Sequence, residues 1–156
     1  MANDNLQNAK SGKKNEFYTI YSDIEKEMNA YLEADEDVFR GKKILLPCDD
    51  QEWSNFTKYF AQNFQRLGLA KLVSTSFAAN SKPYAIPYQP TLFELESDDF
   101  DEQRTRANGK IFSLEADQNG DQVINVEDLE WTYLEGDGDF RSDEVVKLRD
   151  EADVII

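Results

Sequence analysis

The sequence contains no histidine and a single cysteine, Cys48, among its 156 residues. One cysteine cannot form an internal disulfide, and without histidine the chain cannot assemble a Ser-His or Cys-His catalytic pair. The usual ligands of a zinc site are missing for the same reason. These absences exclude most hydrolase mechanisms from being carried within the chain.

Long apolar runs are also missing. No stretch approaches the roughly 20 apolar residues of a membrane-spanning helix. The first residues, MANDNLQNAKSGKKNEF, contain no hydrophobic segment of a secretory signal. We therefore expect no membrane contact and a cytoplasmic location. The length allows one domain or part of one. Residues 1–14 are polar and predicted to be mobile, so order is expected over 15–156.

Positive charge is scarce, with 17 basic against 32 acidic residues and a net charge of -15. This is the wrong sign for a surface that neutralises phosphates, so the chain by itself should bind DNA poorly. The imbalance is confined to one part of the sequence. Residues 1–93 carry 12 acidic and 11 basic side chains, whereas 94–156 carry 20 and 6.

Apolar periodicity and capping signals predict an α/β fold. Residues 44–46 form a continuous apolar run of the kind that is buried on both faces in a parallel sheet. In the first predicted helix, Ile24, Met28, Tyr31 and Leu32 fall on one helical face. The predicted elements are a helix opened by a capping box at 22–25 and ended by the acidic residues 33–37, a strand at 44–46, a helix at 53–67 stopped by Gly68, a strand at 71–77, a helix at 142–151 capped by Ser142, and a buried strand at 153–156.

Residues 78–135 are interpreted as an acidic, proline-interrupted, β-rich insertion into this sheet. Three prolines interrupt 81–95, which argues against a helix there and favours an extended or edge segment. Six of the nine residues in 94–102 are acidic, as in a solvated loop. The segments 110–116 and 129–136 are predicted strands on either side of a turn-rich stretch.

The turn LLPCDD, residues 45–50, follows the first predicted strand, where an open α/β sheet places its ligand. Asp49 and Asp50 can accept hydrogen bonds there from a ribose or an ammonium group. An aspartate in this place is equally a good N-cap for the helix that follows. The sequence has no G-x-G-x-x-G, so a dinucleotide pyrophosphate is not expected.

The segment GDGDF, residues 136–140, lies between a predicted strand and a capped helix. Its glycines let the backbone approach a ligand closely, Asp139 can accept a hydrogen bond from an exocyclic amine, and Phe140 can stack on a flat base. This combination describes an adenine pocket. An acidic turn with Phe140 in the core explains the same five residues equally well.

The segment DQNGDQVINVED, residues 117–128, has oxygen-bearing side chains at positions 1, 3, 5, 9 and 12 of a calcium loop. The candidate ligands are Asp117, Asn119, Asp121, Asn125 and Asp128. Gln122 stands where the sharp turn favours glycine, and Asp128 replaces the usual glutamate, as in the dockerin variant of the EF-hand loop. A hairpin turn rich in Asn, Asp and Gly is the competing interpretation. A non-catalytic calcium-binding or interaction module centred on 117–128 is therefore the alternative function.

Four segments, KKNEFYT, ILLPCDDQEWSNFTKYF, GDGDFRSDEV and LRDEADVII, resemble in order and spacing the amino-terminal part of the EcoRI-type adenine-specific DNA methyltransferases. The resemblance covers 13–76 and 136–156 and leaves the insertion out. It implies a partial Rossmann-like sheet that binds S-adenosylmethionine. The complete enzyme is expected to transfer the methyl group to the exocyclic amine of adenine in duplex DNA, as part of a restriction-modification system.

The resemblance implies that the catalytic residues lie outside the chain. In such enzymes the strand that ADVII resembles leads into an Asn-Pro-Pro-aromatic loop, which receives the flipped base. This catalytic motif is expected to lie beyond Ile156, so no catalytic residue is predicted within the sequence. The chain is therefore expected to be the front part of an enzyme, inactive alone, with its DNA contacts in regions beyond it.

The resemblance also implies a set of cofactor contacts. They are Phe17, Tyr18 and Thr19 at the methionine end, Pro47, Cys48 and Asp49 at the first turn, and Asp139 and Phe140 at the adenine. The second strand lacks the terminal acid that usually binds the ribose, so Asp50 or a residue of the insertion is expected to replace it.

Overall fold

A computed structural model describes residues 19–49, 54–81, 90 and 92–156. Helices and strands are interspersed along the chain. The helices are α1 (Tyr21–Ala34), α2 (Asn55–Gln62), α3 (Phe64–Leu67), α4 (Leu92–Glu96), α5 (Glu102–Ala107) and α6 (Asp143–Glu151). The strands are β1 (Lys43–Leu46), β2 (Lys71–Ser76), β3 (Lys110–Leu114), β4 (Glu130–Tyr133) and β5 (Val154–Ile155). Within these ranges no helix is long and apolar enough to cross a bilayer.

The described strands form one five-stranded sheet in the order β4-β3-β2-β1-β5. β1 pairs in parallel with both β2 and β5, while β3 and β4 extend the other side of β2 in antiparallel fashion. β1 lies between β2 and β5, and this position explains its composition, because Ile44, Leu45 and Leu46 are each only 1% exposed. The α/β prediction is confirmed.

Helices α1, α2 and α3 cover one face of the sheet and form the main core with it. Alternate residues of the strands point toward that face, since side-chain direction has a period of two along a strand. The core members that share near-complete burial are Ile24, Met28, Phe39, Ile44, Leu46, Tyr59, Phe60, Ala61, Phe64, Leu67, Leu69, Leu72 and Leu114. Burial of each large apolar side chain stabilises the fold by about 1.5–3 kcal/mol.

The apolar run 153–156 is a shorter and more exposed strand than predicted. Only Val154–Ile155 has strand geometry, although the Ile156 amide still donates to the Leu45 carbonyl at 3.1 Å. Ile155 is 46% exposed and Ile156 is 39% exposed, so the prediction of a buried strand that includes Ile156 is wrong. The physical reason is position, because β5 pairs with β1 alone among the described strands and forms one edge of the sheet.

The starts and ends of the helices follow the predicted signals in part. Ser142 caps α6 by accepting a hydrogen bond from the Val145 amide, and Gly68 ends α3 with a φ of +65°. The capping box predicted at 22–25 is wrong. α1 begins at Tyr21, which places Ser22 and Glu25 inside the helix, and its N-cap is Ile20.

Two further helix predictions need correction. Tyr31 is 51% exposed, so the buried face of α1 rests on Ile24 and Met28. The single helix predicted at 53–67 is interrupted at Asn63, whose side-chain amide donates to the Tyr59 carbonyl at 2.8 Å. A side chain that bonds to the backbone in this way competes with the helical pattern.

The predicted insertion continues the sheet, because β3 pairs with β2 along five residues. The strands predicted at 110–116 and 129–136 are present as β3 and β4, each shorter than predicted. The expectation of no helix in 81–95 is wrong, because α4 occupies 92–96; residues 82–89 and 91, with two of the three prolines, lie outside the described residues.

The prediction of a solvated loop for the acidic run 94–102 is wrong at Glu94. The side chain of this residue is buried and forms an ion pair with Lys110 of β3, which is buried as well. The Lys110 ammonium also lies 4.9 Å from the centroid of the Trp131 ring. The acidic run 94–102 contains no sign of this ion pair, because Lys110 lies outside the run and meets Glu94 only in the folded sheet.

Candidate cofactor-binding site

The turn after β1, the end of β2 and the loop 136–140 meet at one end of the sheet, where the carboxyl ends of β1 and β2 lie. The Cys48 sulfur lies 3.7 Å from the Gly138 carbonyl oxygen. The Ala78 amide, two residues beyond β2, donates to the Asp137 carbonyl at 2.7 Å. Two segments that the sequence presented separately, 47–49 and 136–140, are therefore in contact. Open α/β sheets bind their ligands at the carboxyl ends of their strands, which is where these segments meet.

Glycine is required where these backbones meet. A Cβ atom on Gly138 would lie 2.2 Å from the Ser76 carbonyl oxygen, and the φ of Gly138 is +85°. A Cβ on Gly109 would lie 2.4 Å from the same oxygen and 2.9 Å from the Gly138 Cα. The approach of three main-chain segments gives the loop a defined position. Gly109 is not among the predicted site residues, and its only signal in the sequence is a glycine directly before a strand.

Asp49 is held by buried polar groups. Its amide donates to the Thr75 carbonyl at 2.6 Å, and its Oδ2 accepts from the Thr57 hydroxyl at 2.6 Å. The Thr57 oxygen lies 3.2 Å from the Ser74 Oγ, and both side chains are almost fully buried. The N-cap of α2 is Ser54, so the alternative role of Asp49 as a helix cap is not observed. Sequence reasoning missed Thr57 and Ser74.

Cys48 has an unusual backbone conformation, with a φ of +57° in a residue other than glycine. Its amide donates to the Thr75 hydroxyl at 3.2 Å, which fixes the turn. Partial burial raises the pKa of the thiol above its ordinary value, and the negative charges of Asp139 and Asp137 raise it further. The thiol therefore remains protonated at neutral pH and is not an activated nucleophile.

Asp139 is paired with Arg141. One carboxylate oxygen accepts from the Arg141 amide at 2.8 Å and from Nε at 3.0 Å, and the other accepts from Nη2 at 2.9 Å. These side-chain and backbone hydrogen bonds lower the pKa of Asp139 from 3.8 to about 2. The carboxylate is therefore ionised at neutral pH, and a ligand donor at this position shares it with Arg141.

Phe140 is half-buried, which separates it from the fully buried core. The Arg149 guanidinium of α6 lies over one face of its ring, 4.0 Å from the centroid. The structure therefore does not support the alternative in which Phe140 is an ordinary core residue. Phe140 is part of the loop 136–140, which meets the turn after β1 at the carboxyl ends of the strands.

The remaining predicted contacts are only partly described. The Thr19 carbonyl accepts from the Asn55 side chain at 2.8 Å, which ties the segment before α1 to the start of α2. Phe17, Tyr18 and Asp50 lie outside the described residues. Pro47 forms the turn after β1 together with Cys48.

The loop 117–128 uses its own oxygen atoms to organise its backbone. Asp117 accepts from the amides of Gly120 and Gln122 at 2.6 and 2.7 Å. Asp128, which is buried, accepts from Gln118 at 2.8 Å and Asn125 at 3.0 Å. Asn119, Asp121 and Asn125 each accept from an amide two residues further on. Hydrogen bonds from the backbone amides of Asn125, Gln118 and Asn119, with that of Asn125 the largest, lower the pKa of Asp128.

The calcium prediction for Asp117, Asn119, Asp121, Asn125 and Asp128 is not supported by this arrangement. In the part of the chain that the structure describes, no three acidic, cysteine or histidine side chains gather in a way that could hold a metal ion. The competing interpretation, an Asn-, Asp- and Gly-rich turn between two strands, matches what is observed. Gln122 adopts the positive φ, +70°, that usually favours glycine.

Comparison with known proteins identifies a family and several relatives of this chain. The family model described as "Adenine-specific methyltransferase EcoRI" matches residues 5–156 and so includes the insertion. The chain is 34% identical to the Type II methyltransferase M.EcoRI of Escherichia coli, over 97% of this chain and 40% of the relative. It is 37% identical to the Type II methyltransferase M.MpnI of Mycoplasma pneumoniae, over 69% of this chain and 30% of the relative.

A third relative, the Type II methyltransferase M.MgeORF184P of Mycoplasma genitalium, is 29% identical over 95% of this chain and 34% of its own length. The chain thus spans no more than 40% of the length of any of these three proteins. No solved structure matches it.

Proposed function

The chain belongs to the family of the adenine-specific methyltransferase EcoRI, and we propose on this premise that it forms the S-adenosylmethionine-binding part of a DNA adenine methyltransferase. The observation that carries the proposal is the contact between 47–49 and 136–140 at the carboxyl ends of β1 and β2. A Rossmann-like sheet binds its cofactor at this edge. The reaction is methyl transfer to the exocyclic amine of adenine in DNA, of the restriction-modification type.

The residues at this edge suit the chemistry of the cofactor. S-Adenosylmethionine carries a cationic sulfonium that supplies the methyl group, together with an ammonium group, two ribose hydroxyls and an adenine. The carboxylates of Asp49 and Asp139 provide acceptors and negative charge. Phe140 provides an aromatic face for the adenine. Thr57 and Arg141 hold the two carboxylates in place.

The ribose of the cofactor needs an acceptor for its two hydroxyl groups. β2 ends at Ser76, which offers no carboxylate at the position where the family usually has one. We propose that Asp50 or a residue of 78–135 accepts the ribose hydroxyls. Phe17, Tyr18 and Thr19 are proposed to contact the methionine end.

We propose that the residues that contact duplex DNA and those of the catalytic motif belong to parts of the enzyme outside these 156 residues. A net charge of -15 disfavours phosphate contacts by this chain. The Asn-Pro-Pro-aromatic motif that holds a flipped adenine does not occur in the sequence, and we propose that it lies beyond Ile156. We therefore expect the purified chain to bind the cofactor without methylating DNA; methyl incorporation into plasmid DNA by this chain alone would contradict that expectation.

A thermal-unfolding experiment distinguishes the proposed function from the calcium-binding alternative. S-Adenosylmethionine at about 100 times its Kd should stabilise the chain by about 2.7 kcal/mol, which raises Tm by several degrees. Calcium chloride should leave Tm unchanged. If calcium raises Tm, a chelator reverses the rise and S-adenosylmethionine has no effect, the calcium-binding module is the better account.

A matched pair of variants then locates the cofactor. Asp49→Asn should weaken S-adenosylmethionine binding about tenfold or more, because a charged acceptor is lost. Asp117→Asn makes the same chemical change in the loop 117–128 and should leave the affinity unchanged. Isothermal titration calorimetry measures both constants. Equal affinities for the two variants would exclude Asp49 from the site.

A further inference from the structure

Arg149 of α6 makes contacts that its place near the end of a helix does not require. Its guanidinium lies 4.0 Å from the centroid of the Phe140 ring, and Nη1 donates to the Phe140 carbonyl at 3.4 Å. Both contacts are with the residue proposed to stack on adenine. The guanidinium covers one face of the ring, so a flat ligand has to use the other face.

The Nε atom of Arg149 is an exception among the buried polar atoms. It is shielded from solvent, and no hydrogen-bond partner for it lies among the described residues. A buried donor without a partner destabilises a fold, so this atom offsets part of what the two contacts with Phe140 contribute. An arginine here is therefore better explained by its contacts with Phe140 than by the stability of α6.

We propose that Arg149 is a positioning residue for the adenine pocket, holding the Phe140 ring from one side so that the cofactor's adenine stacks on the other. The inference rests on the proposed function and adds to it a residue that does not touch the cofactor. The guanidinium fixes the plane of the ring through the cation–π contact, and the hydrogen bond to the carbonyl fixes the loop that carries the ring. The stacking surface is then in place before the adenine arrives, which lowers the ordering cost of binding.

Double-mutant titration of the full chain with S-adenosylmethionine, and separately with adenosine, tests this role. Arg149→Met should weaken the binding of both ligands about threefold to tenfold. Phe140→Leu should weaken binding about tenfold or more, because a base-stacking ring is lost. Arg149→Met added to Phe140→Leu should weaken it no further, because Arg149 acts through Phe140. Arg149→Lys, which keeps the charge without the planar stack, should fall between wild type and Arg149→Met.

Lys147→Met is the matched control, since it removes an exposed cation two residues away on the same helix. Its affinities should equal those of wild type. The inference is overturned if wild type binds S-adenosylmethionine and Arg149→Met binds equally well, or if the two losses add in the double variant. A fall in Tm with unchanged affinity would likewise make Arg149 a merely structural residue. If wild type binds neither ligand, the proposed function fails, and this inference with it.

Discussion

Two short loops of the chain both combine aspartate with glycine, and their surroundings in the fold differ. Residues 117–128 contain four acidic side chains and one glycine, and residues 136–140 contain two of each. In both loops, side-chain oxygens accept hydrogen bonds from the loop's own amides. In the second loop, the main chain also packs against the end of β2 and the turn after β1. Neighbours in the fold, more than composition, distinguish the two loops.

One glycine in each loop makes the difference measurable. Gly120 and Gly138 have almost the same φ, +80° and +85°. No described atom lies within 4 Å of a Cβ built on Gly120, whereas a Cβ on Gly138 meets the Ser76 carbonyl. The first glycine is needed for its conformation, and the second for conformation and close packing together.

The largest expected effect comes from the buried ion pair beside the loop 136–140. Lys110→Met removes the ammonium that pairs with the buried Glu94 carboxylate, which should lower the free energy of unfolding by about 3–5 kcal/mol. Arg106→Met removes one partner of the exposed pair with Glu102 and should cost at most about 1 kcal/mol. Urea unfolding measures both. A Lys110→Met variant as stable as Arg106→Met would show that the ion pair does not hold α4 against β3.

Replacing the two glycines tests the comparison itself. Gly138→Ala combines left-handed strain with a backbone clash and should cost about 2–5 kcal/mol. Gly120→Ala carries the conformational strain alone and should cost about 1 kcal/mol. Thermal and urea unfolding of the two variants give the difference. Equal losses would mean that the loop 136–140 is not packed against Ser76.

The smallest effect is the pH dependence that Asp139 contributes. Its folded pKa, about 2, lies below the ordinary value of 3.8, so the stabilisation is present above about pH 4 and is lost as the pH falls toward 2. Asp139→Asn should therefore be less stable than wild type at pH 6, and the difference should shrink between pH 4 and pH 2. Tm measured across this range gives the answer. A difference that stays constant down to pH 2 would show that the Arg141 contact is absent in solution.

Much of the α/β frame could be predicted because its signals are local. The continuous apolar run at 44–46 indicated a strand buried on both faces, and Ser142 followed by acidic residues indicated the start of α6. The errors arose where a local signal had a competitor. Ser22 and Glu25 have the spacing of a capping box, yet the helix begins at Tyr21, one residue before Ser22.

The parts that could not be predicted depend on contacts between distant residues. The sequence around Glu94 has the composition of a solvated acidic run. Its partner Lys110 lies on β3 and reaches it only when β3 joins β2. Thr57 and Ser74 are ordinary polar residues in the sequence, and only the packing of α2 on β2 brings them to Asp49. The spacing of oxygen-bearing side chains in 117–128 occurs in calcium loops and also in turns whose side chains accept hydrogen bonds from backbone amides. Spacing alone therefore does not distinguish a calcium loop from such a turn.

The most direct test of the central claim is an NMR titration of the isotope-labelled chain with S-adenosylmethionine, following each backbone amide. We expect the largest shifts in the amides of 48–49 and 137–140, with those of 117–128 unchanged, and no shift in either loop on addition of calcium. Cofactor-induced shifts confined to other parts of the chain, or calcium-induced shifts in 117–128, would contradict the assignment of the cofactor to the edge formed by β1, β2 and the loop 136–140.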